Sequence, residues 1–295
     1  METKIPASLS DVGAVSGTPP LGDGAGTVAP EGGETRQAAL PETVPSTGPA
    51  RRPKILVVDI GGTKLKILAT GQTEPRKAPS GPELTPGRLV EEVRALAEGW
   101  DYEVVSIGYP GLAGDHGPRC EPGNLGSGWV GFDFAAAFDR PVKIVNDAAM
   151  QALGSYEGGR MLFLGLGTGL GSALISENAI VPLELGRLWA RRGLTLGELL
   201  GRRGLKRVGA AAWERAVREA VSRLMAVFAA DYVVIGGGNA KKLNPLPHGV
   251  RRGHNLTAFR GGIRLWGVMV VPIHDPSVGH PDVIVTPAPA PWRLI

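Results

Sequence analysis

The residues best suited to chemistry in this 295-residue chain gather around short glycine turns. Asp59 ends an apolar run from Ile55, and Gly61, Gly62 and Thr63 follow before a second apolar run, Lys64 to Leu68. Two glycines remove Cβ and permit positive φ, so successive backbone N–H groups can point into one concavity, and Thr63 adds a hydroxyl donor. A carboxylate cannot face a phosphate without a cation between them, so Asp59 suggests a magnesium–phosphate site with the acid on the metal. A P-loop would place Lys-Ser/Thr after its last glycine, and a dinucleotide fingerprint would lead into a helix; here a strand follows. The alternative is a plain hairpin with a Gly-Gly turn.

The unit recurs. Met161 to Leu166, then Gly167, Thr168 and Gly169, then Leu170 to Ile175 is again strand, glycine turn with threonine, strand. A repeated supersecondary unit suggests two similar halves, whose facing turns could hold the two ends of a polyphosphate chain. A third cluster, Gly236 to Gly238 and Asn239, follows the run Tyr232 to Ile235, at the carboxyl end of a strand, where open α/β sheets receive ligands. Gly237 and Gly238 thus join the two turns as phosphate-binding candidates.

These residues must be positioned by alternating strands and helices. Thr85-Pro86 reads as an N-cap and first-turn proline for a helix carrying Leu89, Val90, Val93, Leu96 and Ala97. Residues 103–107 and 141–145 read as strands, the latter ending in Asn146-Asp147 with a helix beginning behind. Asp147 could be only the cap of that helix. Trp213, Ala216, Val217, Ala220, Val221, Leu224, Met225 and Phe228 form a helical stripe, with Glu214–Arg218 and Glu219–Arg223 spaced as supporting pairs. Trp129 reads as a loop aromatic covering the core edge. Residues 1–52 are rich in Gly, Pro, Ala, Thr and Ser and are expected to be a disordered extension. The Pro-rich residues 272–295 are expected to be a loose tail, with lobes at 53–150 and 151–271 between.

Composition narrows the classes further. With 43% hydrophobic residues a globular core is affordable, and with 5% aromatics it must be mostly aliphatic. One cysteine, Cys120, excludes an internal disulfide framework. The five histidines have no ligand spacing. No run is long enough to span a membrane and no signal peptide is visible, so a cytoplasmic protein without membrane partners is expected.

The order Asp-Ile-Gly-Gly-Thr, Gly-Tyr-Pro-Gly, Val-Asn-Asp-Ala, Gly-Leu-Gly-Thr-Gly-Leu-Gly, Glu-Leu-Gly-Arg, Ile-Gly-Gly-Gly-Asn over residues 55 to about 266 resembles the ROK family of sugar kinases, most of all its polyphosphate-glucokinase-like branch. The resemblance implies an α/β, two-lobed actin-like, ribonuclease-H-like fold. It implies phosphoryl transfer from ATP or inorganic polyphosphate, with Mg2+, to a hexose, first the 6-hydroxyl of glucose. Asp147 would be the general base, and Asn124, Asn146 and Glu184 would hold the sugar. Arg187 stands where the family has histidine. The family's cysteine-rich zinc site is missing, so structural zinc is not expected. Nor is there the amphipathic helix pair of the family's DNA-binding members, and no nucleic-acid partner is expected; family members often dimerise, but whether this chain forms a homodimer is left open by the sequence. A kinase for another acceptor and a catalytically silent sugar or phosphate sensor are the alternatives.

Residues 187–207 carry Arg187, Arg191, Arg192, Arg202, Arg203, Lys206 and Arg207 against Glu198 alone. The stretch is either a solvated, flexible face or a track for a polyanion.

Overall fold

The computed structural model describes residues 52–295 apart from 115, 192, 255, 273–282 and 288–291. The N-terminal extension therefore lies outside the described residues, as does part of the C-terminal tail.

The first half begins with strands β1 (Ile55–Ile60), β2 (Lys64–Ala69) and β3 (Arg76–Pro79), then helix α1 (Pro86–Leu96) and β4 (Val104–Tyr109). Two-residue strands β5 (Ala113–Gly114) and β6 (Gly117–Pro118), a short α2 (Phe134–Phe138) and β7 (Val142–Asn146) complete it. The sheet order is β3-β2-β1-β4-β7, with β1 antiparallel to β2 and parallel to β4. As its sequence implies, α1 is capped by the Thr85 side chain and carries proline in its first turn.

Helix α3 (Asp147–Ser155) leads to the second half: β8 (Met161–Leu166), β9 (Leu170–Ser176), β10 (Ala179–Leu183), the hairpin β11 (Trp189–Arg191) and β12 (Leu194–Thr195), and helices α4 (Leu196–Leu200), α5 (Arg202–Val208) and α6 (Ala210–Val227). Then come β13 (Tyr232–Gly236), β14 (Val250–Arg252), α7 (Thr257–Arg264), β15 (Val268–Pro272), β16 (Val283–Pro287) and β17 (Arg293–Leu294). Its sheet runs β14-β13-β8-β9-β10-β17. Without β17, this is the connectivity of the first sheet again: β8, β9, β10, β13 and β14 match β1, β2, β3, β4 and β7. Helix α6 matches α1, and α7 matches α3. The two similar halves expected from the repeated glycine turn are thus present strand for strand.

Each sheet has an outer core. Leu56, Val58, Ile60, Leu65 and Ile67 face α1 and Trp129, while Leu162, Leu164, Val233 and Ile235 face the stripe of α6. The pairs Glu214–Arg218 and Glu219–Arg223 form on α6 as spaced in the sequence. A third core lies between the sheets, where α3 and α7 pack on Ile55, Val57, Met161 and Phe163. The two helices meet backbone to backbone. A Cβ on Gly154 would stand 1.7 Å from Thr257 O, and one on Gly261 1.8 Å from Met150 O. Arg264 Nη1 donates to Leu153 O at 2.6 Å and Tyr156 O at 2.8 Å, placing a cation at the carboxyl end of α3.

Three expectations change. Trp129 is fully buried, not at the core edge: its ring lies between Tyr109 and Phe134, and its indole N–H reaches Gly126 O at 2.7 Å. The described part of residues 272–295 is not loose, because β16 pairs with β15 and β17 adds a parallel edge strand to β10. The basic stretch 187–207 is not a flexible face: it folds as the β11–β12 hairpin, α4 and α5, with a capping box between Thr195 and Glu198.

Candidate active site

A cleft of about 590 Å3 collects most of the chemistry-bearing residues. Gly62 and Thr63 line it from the first turn, Gly167, Thr168 and Gly169 from the second, and Gly237 from the third cluster. Asn124, Asn146, Asp147 and Glu184 complete the set, while Asp59, Gly61 and Gly238 do not line it. The two turns face each other closely, since a Cβ on Gly62 would stand 3.9 Å from Thr168 Oγ1.

Close approach, not unusual backbone, accounts for Gly61 and Gly62, while Gly167 and Gly169 have open space where a Cβ would stand. Gly61, Gly62, Gly167 and Gly169 all lack positive φ, contrary to the sequence argument. A side chain at Gly62 would press within 2.9 Å of Asn124 Nδ2. Gly61 N–H closes the turn on Lys64 O at 3.0 Å, so this donor is turned inward. Gly167 O accepts from Arg202 N–H at 3.0 Å and Asn239 Nδ2 at 3.2 Å, which fixes the second turn from behind. Gly237 does have φ of +80°, and a Cβ there would lie 2.6 Å from Leu166 O. This residue must be glycine for both reasons.

Asp147 is the first residue of α3, and the cap is its neighbour. Asn146 Oδ1 accepts from the N–H groups of Ala148 at 3.0 Å and Ala149 at 3.1 Å, and its Nδ2 donates to Gly111 O at 3.0 Å. Asn146 therefore spends its carbonyl and one amide proton on structure, keeping one N–H for a ligand. The Asp147 carboxyl accepts from Ala148 N–H at 2.8 Å and still titrates at about 7. Burial is the main cause, and the nearby charges of Asp59 and Glu184 add to it. The two acids that add to the shift each have a cation of their own. Lys66 Nζ lies 3.0 Å from Asp59 Oδ2, and Arg187 Nε 3.3 Å from Glu184 Oε2.

Sequence reasoning missed the residues that hold this geometry. Glu121, in the cleft wall, accepts from the backbone N–H groups of Trp129 and Val130, which holds its carboxyl below the usual range and ties down the loop bearing Asn124. Buried Ser172 donates to Leu183 O at 2.8 Å and accepts from Leu185 N–H at 3.2 Å, clamping the backbone on both sides of Glu184. A Cβ on Gly186 would lie 2.8 Å from Leu170 O, so the glycine of Glu-Leu-Gly-Arg is also a packing requirement. Only the Glu-Leu-Gly-Arg pattern pointed toward this wall; a lone Glu or Ser carries no such signal.

Among the described residues no cluster of three or more His, Cys, Asp or Glu could hold a metal ion. Magnesium does not need one, being commonly held by one or two carboxylates and the substrate's phosphates. Asp59, buried next to the first turn and within electrostatic reach of Asp147, fits that limited role through the oxygen that Lys66 does not hold. No helix among the described residues is long and apolar enough to cross a membrane.

No protein-family model and no curated protein sequence matches the chain. Solved structures do. The inorganic polyphosphate/ATP-glucomannokinase of Arthrobacter sp. strain KM superposes with a TM-score of 0.62 at 23% identity, over 72% of this chain and 97% of that one. A ROK hexokinase from Thermus thermophilus gives 0.55 at 22%, covering 71% of this chain and 96% of its own. A ROK-family glucokinase from Streptomyces griseus, in complex with glucose and AMPPNP, gives 0.55 at 18%, covering 71% and 97%. The chain therefore has the actin-like α/β fold of the ROK-family sugar kinases.

Proposed function

We propose that this protein is a sugar kinase that transfers a phosphoryl group from ATP or inorganic polyphosphate to a hexose hydroxyl, with the 6-hydroxyl of glucose as the first acceptor to test. The observation that carries the reading is Asp147, a half-buried carboxylate on the wall of a cleft between two glycine turns, its pKa pushed up to about 7 by desolvation. A hydroxyl is a poor nucleophile at neutral pH, and a carboxylate at this pKa is suited to take its proton. As the acceptor oxygen bonds to the terminal phosphorus, the bond from phosphorus to the leaving phosphate oxygen breaks and the proton passes to Asp147.

The remaining roles are assigned as the family resemblance implies. Gly62 and Thr63 of the first turn, Gly167, Thr168 and Gly169 of the second, and Gly237 would cradle the donor's phosphates, with Gly61 closing the first turn behind them. Asn124, directly over Gly62, stands where sugar and phosphate would meet, and Asn146 and Glu184 would bind sugar hydroxyls. Asp59 would hold Mg2+, which supplies charge neutralisation to the phosphates when bound. The cleft-lining Arg202 and its exposed neighbours Arg203, Lys206 and Arg207 on α5 offer a cationic path to a polyanionic donor, which favours polyphosphate as one of the two.

The test is a coupled assay for glucose 6-phosphate with ATP and with polyphosphate, on wild type and Asp147→Asn. Product that depends on Asp147 supports the reading. Folded protein giving no product with either donor overturns the glucokinase assignment, and a panel of other acceptors then separates a different kinase from a sensor.

A further inference from the structure

Asp59 and Lys66 pose a question that the kinase reading leaves open. The pair is built into the sheet: Asp59 on β1 lies opposite Lys66 on β2 in the antiparallel register, and Nζ reaches Oδ2 at 3.0 Å. The Asp59 side chain is 8% exposed, so its charge needs a partner at all times. The Lys66 side chain is 36% exposed, so its head has room to leave. One strand further out, Lys77 lies opposite Lys66 in the β2–β3 register. Like charges in facing positions repel, which presses the Lys66 ammonium toward Asp59 and leaves this edge of the sheet suited to an anion.

Resting on the kinase reading, we propose that Lys66 is a surrogate cation for Asp59: its ammonium keeps a divalent ion off the carboxylate until a phosphoryl donor arrives, then passes to the donor's phosphates. Mg2+ sheds water reluctantly and binds through carboxylate and phosphate together. A bare Asp59 beside the phosphate turn would hold a cation before the donor came. With Lys66 in place, metal and donor enter as one unit, and the lysine displaced from the acid pairs with the donor's phosphates.

Mn2+ binding, followed by its electron paramagnetic resonance signal on full-length protein, tests this without turnover. Its outcome therefore stands whether or not the kinase assay yields product. Wild type alone is expected to bind Mn2+ at least tenfold more weakly than Lys66→Met. Adding tripolyphosphate or AMPPNP should tighten Mn2+ on wild type by tenfold or more. Lys66→Met in the Asp59→Asn background should lose the gained site. Without metal, Lys66→Met should bind tripolyphosphate several-fold more weakly, and Lys66→Arg should behave as wild type in both arms. Lys66→Met that melts like wild type yet binds Mn2+ no more tightly overturns the proposal, as does wild type alone binding Mn2+ as tightly as the variant.

Discussion

At the scale of single residues, the site rests on how charge is distributed over three acids. Lys66 and Arg187 neutralise Asp59 and Glu184, and Asp147 carries the electrostatic cost of burial beside them. Replacing Asp147 by Asn should lower kcat by about 100- to 10,000-fold, the usual range for a lost general base. The base must be ionised, so kcat/KM of wild type should fall as pH drops through about 7, and a pH–rate profile checks this. Stability runs the other way. The folded state raises this carboxyl's pKa, so folding favours its protonated form, and stability is lost as pH rises from the ordinary carboxylate range to about 7. Asp147→Asn should therefore melt a few degrees above wild type at pH 8, with the difference shrinking at pH 5. The turns that line the cleft were legible because the unit of strand, glycine turn with threonine and strand occurs twice in the chain. Lys66, Glu121 and Ser172 were not, because their partners are set by strand register and loop closure, which composition does not record.

At the scale of elements, strands and helices were read well where a periodic apolar pattern coincided with punctuation, as in β1, β8, α1 and α6. Short pieces escaped. Helix α2 has five residues, and the β11–β12 hairpin is hidden in a run of arginines. The glycines were recognised but not their separate reasons: Gly61 and Gly62 face close neighbours, Gly237 combines positive φ with a close backbone, and Gly167, Gly169 and Gly238 have open space where a Cβ would stand. Removing the hydroxyl of Ser172 should cost about 1–3 kcal/mol, as for a buried polar group whose partners are left unpaired. It should also raise the hexose KM several-fold while kcat changes less, because Glu184 loses its fixed backbone; urea melts and steady-state kinetics on Ser172→Ala read both. Gly154→Ala or Gly261→Ala should be far worse, by about 4 kcal/mol or more, since the added methyl meets backbone that cannot repack. Chemical denaturation of each variant measures the loss.

At the scale of the whole molecule, the repeated hairpin correctly announced two halves with one connectivity, while the fate of the C-terminal residues could not be read from a Pro-rich stretch. Trp292 packs edge-on against Tyr156 with centroids 5.5 Å apart, and Leu294 joins the core between the sheets. Deleting residues 292–295 should lower the melting temperature by several degrees, and ligand-free calorimetry would show it. The crossing of α3 and α7 has a mechanical side. Two helices touching through bare backbone form a bearing: one can swivel on the other about the contact, but neither can slide without collision. Any closing of the cleft is therefore expected to swing the halves about this contact, as jaws swing, and not to slide one past the other.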